Sequence, residues 1–361
     1  MTPVSGSAQR LIFFNPWADE VRAAADYLAS LPLLNVAART ADPCDPGLVR
    51  KARLDLDWYG ECTRCFAQAG VAGVEFRPAK VVGAKGMAGL LQAATTRPED
   101  ETWWLVFMGQ HPQKLAPVAG KTLAFLRRCG VKILFYAFDE ASRRMPCFAE
   151  IAPHLDVLIH DEAPLADEGR VLLRSDALTI HRSWVANVVP FAAPFNEAPE
   201  AKILFLGSQM GLTTHRQRQI DYLKKTFKDR FVASTDHSVG VGDRFSLNRY
   251  QVGLCPEGRM FATPAMSRTH TDRPFWSGCL GLVPVSENSR QGGRLDELAD
   301  EGLILRYAHG DLKALAAACE QALAMPVLAR RRIYDHFNRR ETVGTVVAEA
   351  IAAVAAPVGA V

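Results

Sequence analysis

Several common nucleotide-binding and metal-binding signatures are absent from this sequence. There is no GxxxxGK(S/T) loop, and this absence argues against a P-loop nucleotidase. The stretch LGSQMG, residues 206–211, lacks the GxGxxG spacing of a dinucleotide-binding turn, and no HExxH zinc motif occurs. Cys62 and Cys65 form a single CxxC without a second pair, so we expect no zinc site and no bound metal.

Long apolar runs and a strong charge imbalance are also absent. No run approaches the ~18 apolar residues of a membrane-spanning helix, so no membrane span is expected. The N-terminal MTPVSGSAQRL has one arginine and no long apolar core, so we predict no signal peptide. With eight scattered cysteines, this favours free thiols in a cytoplasmic protein. The formal net charge of +3 is too small to indicate a nucleic-acid or membrane partner by itself.

The composition and the order of patterns indicate two α/β domains. A chain of 361 residues with 48% hydrophobic and 22% charged residues is ordinary for a globular protein large enough for two domains. Short apolar runs alternate with helical patterns in both halves, which is typical of parallel, doubly wound sheets. The stretch Ala192–Glu200 has two prolines and no periodicity, and we interpret it as a linker. We therefore predict Rossmann-like domains over residues 1–195 and 196–361.

The element pattern is specific enough to be tested strand by strand. Strands are predicted at Arg10–Asn15, Val74–Phe76, Thr102–Met108, Val131–Phe138, Asp156–Glu162, Ala177–His181, Val185–Phe191, Lys202–Ser208, Phe231–Ser234, Arg249–Gly258, Leu280–Val285 and Leu303–Tyr307. Helices are predicted at about Trp17–Ser30, Leu48–Ala69, Gly86–Ala94, a segment ending at Arg128, His215–Lys228, Asp311–Ala324, Leu328–Arg339 and Thr342–Ala355.

The stretch Thr271–Asn288, TDRPFWSGCLGLVPVSEN, has the most informative pattern in the chain. Arg273 precedes an aromatic pair and a small-residue run, then come the apolar run and a polar tip that includes Glu287 and Asn288. We interpret it as a helix start with a cation, a glycine turn, a buried strand and a loop at the strand's carboxyl end. In open α/β sheets ligands bind at those ends, and a helix start beside an arginine suits phosphate oxygens. The alternative is a buried strand after an ordinary helix.

Other polar groups of the second half also follow predicted strands or precede helices. They are Gly207, Ser208, Arg216, Arg259, His270 and Asp272. A diphosphate needs backbone N–H groups at a glycine turn and guanidinium groups, while carboxylates suit ribose or sugar hydroxyls. Each arginine alone could equally be a solvated surface charge. Their recurrence on neighbouring loops is what predicts a binding site.

In the first half, His111 follows one strand and Asp139 follows the next. Either side chain could take a proton from an acceptor hydroxyl as a general base. Asp139 could instead cap the helix that follows it. His160 and Asp161, at the end of another strand, have the same two interpretations.

With these residues placed, the chain resembles the nucleotide-sugar glycosyltransferases of the GT-B fold. It is most similar to the CgeB/YkvP type of spore protein, with an exostosin-like donor domain. Three stretches carry the resemblance: ILFLGSQMGLTTHRQRQIDYLK; RYQVGLCPEGR followed by TDRPFWSGCLGLVPVSEN; and VKILFYAFDEASR followed by HLDVLIHDEAP. The resemblance implies two Rossmann-like domains facing a cleft, with the last helices crossing back to the first domain.

The resemblance also implies roles for individual residues. Gly207, Arg216, Arg259, Arg273 and Gly281 would surround the diphosphate of the donor. The family usually has a glutamate three residues after the arginine to bind donor hydroxyls, and here that position is Trp276. Asp272 or Glu287 would have to replace it, or activity would be lost.

These observations predict a hexosyl- or pentosyltransferase that uses a nucleotide-diphosphate sugar and no other cofactor. Asp139 or His111 would deprotonate the acceptor hydroxyl, and Arg273 and Arg259 would stabilise the departing diphosphate without a metal. The acceptor is a glycan, a protein, a small molecule or a modified DNA base of the kind that some phage transferases use. The alternative is a non-catalytic protein that binds nucleotides or sugars with the same fold.

Overall fold

The computed structural model describes residues 8–15, 74–78, 92, 94–99, 101–109, 120–137, 146–160, 173–182, 191, 193–207, 214–234, 245–256, 273–288 and 294–355. The chain divides into two compact units. The first contains Met1–His160, Pro164–His181 and Val347–Val361, and the second contains Asp161–Ala163 and Arg182–Val346. Among the described helices none alone is long and apolar enough to cross a membrane; Leu312–Leu323 and Val327–Arg340 meet that test only as a pair bent by 100°.

The first unit contains a parallel sheet of six described strands. They are β1 (Ala8–Asn15), β2 (Val74–Pro78), β3 (Glu101–Gly109), β4 (Lys132–Ala137), β5 (Val157–His160) and β6 (Leu178–His181). Their order across the sheet is β2-β1-β3-β4-β5-β6. The described helices of this unit are α1 (Lys121–Arg128) and α2 (Pro146–Ile151), the latter followed by a 3₁₀ turn, Ala152–His154. Strands covered on both faces explain the nearly continuous apolar runs of β3 and β4.

The carboxylate of Asp156 fixes the amino end of β5 in this sheet. Asp156 is 5% exposed, and its Oδ2 accepts a hydrogen bond of 2.9 Å from the backbone N–H of Ile133 in β4. The guanidinium of Arg174 lies 3.4 Å from Oδ1 and compensates the buried charge. Because this acid is at the amino end of the strand, its function is structural.

The second unit repeats the same topology with five parallel strands. They are β7 (Glu200–Leu206), β8 (Phe231–Ser234), β9 (Tyr250–Cys255), β10 (Val283–Asn288) and β11 (Leu305–Ala308), in the order β8-β7-β9-β10-β11. The helices are α3 (Thr214–Phe227), α4 (Arg273–Cys279), α5 (Arg294–Asp300), α6 (Leu312–Leu323) and α7 (Val327–Arg340), with 3₁₀ turns at Lys228–Arg230 and Phe245–Arg249. The last described helix, α8 (Val343–Ala355), begins in this unit and belongs to the first unit from Val347 onward. The second sheet thus has the 2-1-3-4-5 order of doubly wound folds, and the first has the same order with a sixth strand added beside the fifth.

The helix α4 is enclosed by the core of the second unit. All of its residues after Arg273 are buried, and Phe275 packs edge-on against Phe337 of α7 at 6.0 Å between ring centroids. The turn into β10 requires Gly281, whose φ of 85° disfavours any residue with a side chain. The buried helix, the turn and the strand together confirm the predicted local order of this stretch.

The stretch predicted as a linker packs onto the second unit. Ala193 is 2% exposed and belongs to that unit's hydrophobic core. The Nδ2 of Asn196 donates to the carbonyl of Asn248 at 3.1 Å, and Arg330 donates to the carbonyls of Asn196 and Glu197. The division between the units falls at residues 181–182, before the boundary that the prolines suggested at 195–196.

Most predicted elements that lie in the described residues are confirmed within a few residues at each end. The exact boundaries depend on caps: α6 begins at Leu312 because the side chain of Asp311 accepts hydrogen bonds from the backbone N–H groups of Lys313 and Ala314. The predicted helices at Trp17–Ser30 and Leu48–Ala69 lie outside the described residues, as does the predicted strand Val185–Phe191 except for Phe191, which is in a turn.

Candidate functional site

The topology of the second sheet defines where a ligand is expected. Strand order reverses between β7 and β9, and in doubly wound sheets ligands bind at the carboxyl ends of the strands beside such a reversal. The chain leaves β7 through Gly207 and enters α3 at Thr214, and β10 ends with Glu287 and Asn288. This carboxyl edge is therefore formed by the residues that the sequence singled out.

Arg273 lies at this edge although it is distant in sequence from β7. It is the first residue of α4, and its Nε donates a hydrogen bond of 3.1 Å to the carbonyl oxygen of Leu206, the last residue of β7. The bond uses the Nε–H of the guanidinium and holds the group at the end of β7. A guanidinium fixed in this way is oriented before any ligand binds.

Arg216 is the second cation at the carboxyl edge. It lies in the first turn of α3 and is 3% exposed. Its pKa is lowered to about 10, mainly because burial disfavours the charge and also because Arg273 is close, while Glu287 and Tyr307 act in the opposite direction. Two guanidinium groups therefore repel each other where the sheet is expected to bind a ligand. An anion bound between them would relieve this repulsion.

Glu287 lies beside these arginines but its carboxylate is held by the protein. The side chain is fully buried, and its Oε1 lies 2.7 Å from His215 Nε2, 3.0 Å from Gln219 Nε2 and 3.2 Å from the backbone N of Gly310. His309 Nδ1 is 3.0 Å from the same oxygen. The prediction that Glu287 binds donor hydroxyls stays a prediction, and the structure shows it first as the centre of a polar cluster.

Two glycines predicted to surround a diphosphate have other reasons to be glycine. A Cβ on Gly207 would lie 2.5 Å from Cζ of the buried Phe205 ring, so packing alone excludes a side chain there. Gly281 precedes the first residue of β10 and so lies at the amino edge of the sheet, opposite Glu287. The structure therefore groups Gly207 with Arg216 and Arg273 but does not place Gly281 with them.

Trp276, at the position where the resembled family has a glutamate, is a core residue. It lies in α4, is 8% exposed and belongs to the hydrophobic cluster of the second unit. The helix therefore presents an indole to the core at this position, and no carboxylate replaces it within α4.

The remaining predicted site residues lie outside the described part of the chain. They are His111, Asp139, Ser208, Arg259, His270 and Asp272. The backbone of Asn288 is described as the last residue of β10, without its side chain. Their roles stay predictions.

The sequence interpretation missed three residues of the polar cluster. His215 and Gln219 face Glu287 from α3, and His309 follows β11 directly. The rings of His215 and His309 are stacked, with 4.5 Å between centroids and 23° between planes. His309 follows the strand predicted at Leu303–Tyr307, so the rule that ligands bind at the carboxyl ends of strands would have selected it. The sequence interpretation considered only the helix that begins nearby, at Asp311.

Comparison with known proteins supports the fold. No protein-family description matches the chain, and no curated protein matches it. One similar solved structure is an alpha-glucosyltransferase in complex with UDP and a 13-mer DNA containing a central A:G mismatch, with 10% identity, a TM-score of 0.55 and coverage of 97% of this chain and 100% of the other.

A second similar structure is an alpha-glucosyltransferase in complex with UDP-glucose and DNA containing an abasic site. It is 11% identical, with a TM-score of 0.52 and coverage of 97% of this chain and 100% of the other. The chain has the GT-B fold. At this identity the likeness establishes two Rossmann-like units and leaves the activity to be argued from the site.

Proposed function

We propose that this protein is a glycosyltransferase that takes its sugar from a nucleotide-diphosphate donor. The observation that carries the proposal is the pair Arg216 and Arg273 at the carboxyl edge of the second sheet. One guanidinium is anchored to Leu206 and the other is buried with a lowered pKa. A diphosphate is the part of a sugar donor that two adjacent guanidinium groups recognise best, because each can donate two hydrogen bonds to its oxygens.

The same pair of arginines also explains how the diphosphate could leave the sugar. As the bond from the anomeric carbon to the diphosphate breaks, negative charge grows on the leaving oxygen, and fixed cations stabilise it. We propose that Arg216 and Arg273 perform this role, so that no metal ion is needed at the leaving group. Arg259 belongs to the same proposal from the sequence, and His111 or Asp139 is proposed to deprotonate the acceptor hydroxyl.

A second candidate is a non-catalytic protein of the same fold that binds a nucleotide or a nucleotide sugar. The burial of Trp276 favours it, because the family's carboxylate for donor hydroxyls is replaced by a core indole. Both candidates require the diphosphate site. They differ in whether the bound sugar is transferred, that is, in whether this CgeB/YkvP-like chain retains transferase activity.

A modified DNA base is the acceptor proposal that the two alpha-glucosyltransferase complexes suggest, since both contain DNA. The described residues show exposed arginines on α7, including Arg331 and Arg332. However, α7 is tied to Cys279, at the end of α4 that is opposite Arg273. Retention on duplex DNA that weakens steeply with salt would support this acceptor, and its absence would favour glycans, proteins or small molecules.

The proposal is tested by screening nucleotide-diphosphate sugars for thermal stabilisation. A ligand that binds only the folded state raises Tm by mass action. We expect one donor class to raise Tm, and we expect Arg273→Ala to weaken its affinity about ten- to a hundredfold, in line with the loss of charged hydrogen bonds. Arg218→Ala is the matched control, because Arg218 is exposed on the same helix as Arg216.

Full affinity in the Arg273→Ala protein would remove the residue from the site. Stabilisation by a donor without release of free nucleotide in the presence of any acceptor would select the non-catalytic candidate. Equal losses in the Arg273→Ala and Arg218→Ala proteins would show that the effect is only one of net charge.

A further inference from the structure

The polar cluster around Glu287 has more nitrogen atoms than one carboxylate oxygen can use. Four nitrogens lie within 3.2 Å of Oε1, from His215, His309, Gln219 and the backbone of Gly310. A carboxylate oxygen presents about two lone-pair sites. Two of the four nitrogens must therefore interact with something other than a lone pair of this oxygen.

The neighbours of His215 add a second contact that these hydrogen bonds do not explain. Tyr307 donates from its hydroxyl to Gln219 Oε1 at 3.4 Å, which directs the Gln219 amide N–H groups towards His215 and Glu287. His215 Nε2 lies 3.0 Å from that amide nitrogen, and it accepts this hydrogen bond in the tautomer that carries its proton on Nδ1. The same nitrogen is 2.7 Å from Glu287 Oε1, which also presents a lone pair. Two lone pairs at that distance repel unless a positive charge lies between them.

We propose that His215, Glu287 and His309 form a binding site for a zinc ion. The three ligand atoms, His215 Nε2, Glu287 Oε1 and His309 Nδ1, lie within 4.8 Å of one another. Two imidazoles and one carboxylate are a set that binds Zn²⁺ with the fourth position open. In this arrangement both histidines use lone pairs on the metal, and Oε1 keeps the hydrogen bond from Gly310.

The geometry requires only small movements. Ligand atoms of a tetrahedral zinc site are roughly 3.4 Å apart, given metal–ligand bonds of about 2.1 Å. The nitrogen–oxygen separations of 2.7 and 3.0 Å therefore have to widen by roughly half an ångström. His309 follows β11 directly and has a side chain that is 51% exposed, so rotation of its imidazole provides this space.

The surroundings resemble those of a built metal site. Glu287 is fully buried, and the Gly310 backbone N–H donates to its Oε1, as outer-shell donors do for metal-ligating acids. His215 and His309 are 34% and 51% exposed, so the open position is accessible from solvent. The ion would connect the start of α3, the end of β10 and the turn after β11. Its effect is to position the first turn of α3, which carries Arg216 next to His215.

The test is titration of Zn²⁺ into chelator-treated full-length protein, followed by calorimetry and Tm. We expect saturable binding of one ion per chain and at least a tenfold loss of affinity in His309→Ala. Mg²⁺, which prefers oxygen ligands, should not compete. His154→Ala is the control, because His154 belongs to the first unit and the cluster to the second. Replacement of Zn²⁺ by Co²⁺ should give the strong visible bands of a tetrahedral nitrogen–oxygen site, lost in the same variant.

Equal Zn²⁺ affinity in the His309→Ala and His154→Ala proteins would overturn the proposal, as would the absence of saturable binding to the wild type. In the latter case the contact between His215 and Glu287 is a hydrogen bond within the polar cluster. If His309→Ala does not fold, as judged by circular dichroism, His309→Asn provides the same test. Nucleotide is absent from these titrations, so their outcome is independent of the proposed transferase activity.

Discussion

Two clusters of buried charge in the second unit are built in opposite ways. In one, Arg294 donates to Glu341 and to Glu297, and the hydrogen bonds raise its pKa although burial alone would lower it. In the other, the strongest influence on Arg216 after burial is a second guanidinium, that of Arg273, and its pKa falls to about 10. The first cluster pairs one arginine with two carboxylates, whereas the second places two guanidinium groups beside one carboxylate, that of Glu287, at the edge where a ligand is expected.

This difference separates structural arginines from arginines that are arranged for a ligand. A buried ion pair that is complete inside the protein stabilises the fold only as long as both partners remain. Two cations held together cost folding energy and are retained where a bound anion compensates them. Substitutions that change the stability of the protein and its ligand binding separately test this difference between the two clusters.

The largest effect is expected at Glu341, which is fully buried. Glu341→Gln leaves the guanidinium of Arg294 without its buried partner, and we expect a loss of about 3–5 kcal/mol in the free energy of unfolding. Urea denaturation measures it. Glu297→Gln removes the exposed partner of the same arginine and should cost less than about 1 kcal/mol. Similar losses in the two variants would contradict the assignment of Glu341 as the structural partner.

Gly207→Ala should cause the next largest loss in the free energy of unfolding. A methyl group at this position meets the Phe205 ring, and overpacking of this kind costs about 1–3 kcal/mol. Thermal unfolding in the absence of ligand measures it. If the protein keeps its stability but loses nucleotide binding, the glycine serves the ligand and the packing explanation is wrong.

Arg216→Met should change the free energy of unfolding by less than about 1 kcal/mol, because removing the desolvation cost and the repulsion from Arg273 offsets the lost attraction to Glu287 and Tyr307. The same substitution should strongly weaken nucleotide binding. Urea denaturation and calorimetry on one preparation give the two values. A large loss of stability would place Arg216 with the structural arginines.

The smallest effect is a pH dependence. Burial would raise the pKa of Glu341, but hydrogen bonds from His336 and Arg294 bring it below its ordinary value. A lowered pKa stabilises the fold above the unfolded-state pKa, and this contribution is lost as pH falls through the lowered value. The stability difference between wild type and Glu341→Gln should therefore be constant at neutral pH and shrink below about pH 4.5. A constant difference down to pH 3 would contradict the shift.

The sequence predicted the strands of the second unit well because short apolar runs between helical patterns, such as residues 203–206 of β7, mark buried strands. It also brought Arg216, Arg273 and Glu287 to one edge, since the carboxyl ends of parallel strands coincide. The same rule puts Gly281, which precedes β10, at the opposite edge, and its assignment to the diphosphate came from the family resemblance.

Two other features of the second unit could not be predicted, because they arise from contacts between segments that are distant in the sequence. Trp276 is buried because α4 packs against both the sheet and α7, so that every face of the helix is covered. The cluster of His215, Gln219 and His309 brings together two segments separated by more than eighty residues, which meet beside Glu287. Local sequence patterns do not predict contacts between such distant residues.

The most direct test of the central claim is calorimetric titration of inorganic pyrophosphate, which contains the diphosphate without base or sugar. We predict saturable binding by the wild type that is lost in both Arg216→Met and Arg273→Ala and is retained in Arg218→Ala. Binding that is unchanged in all three variants, or no saturable binding to the wild type, would contradict a diphosphate site formed by these two arginines.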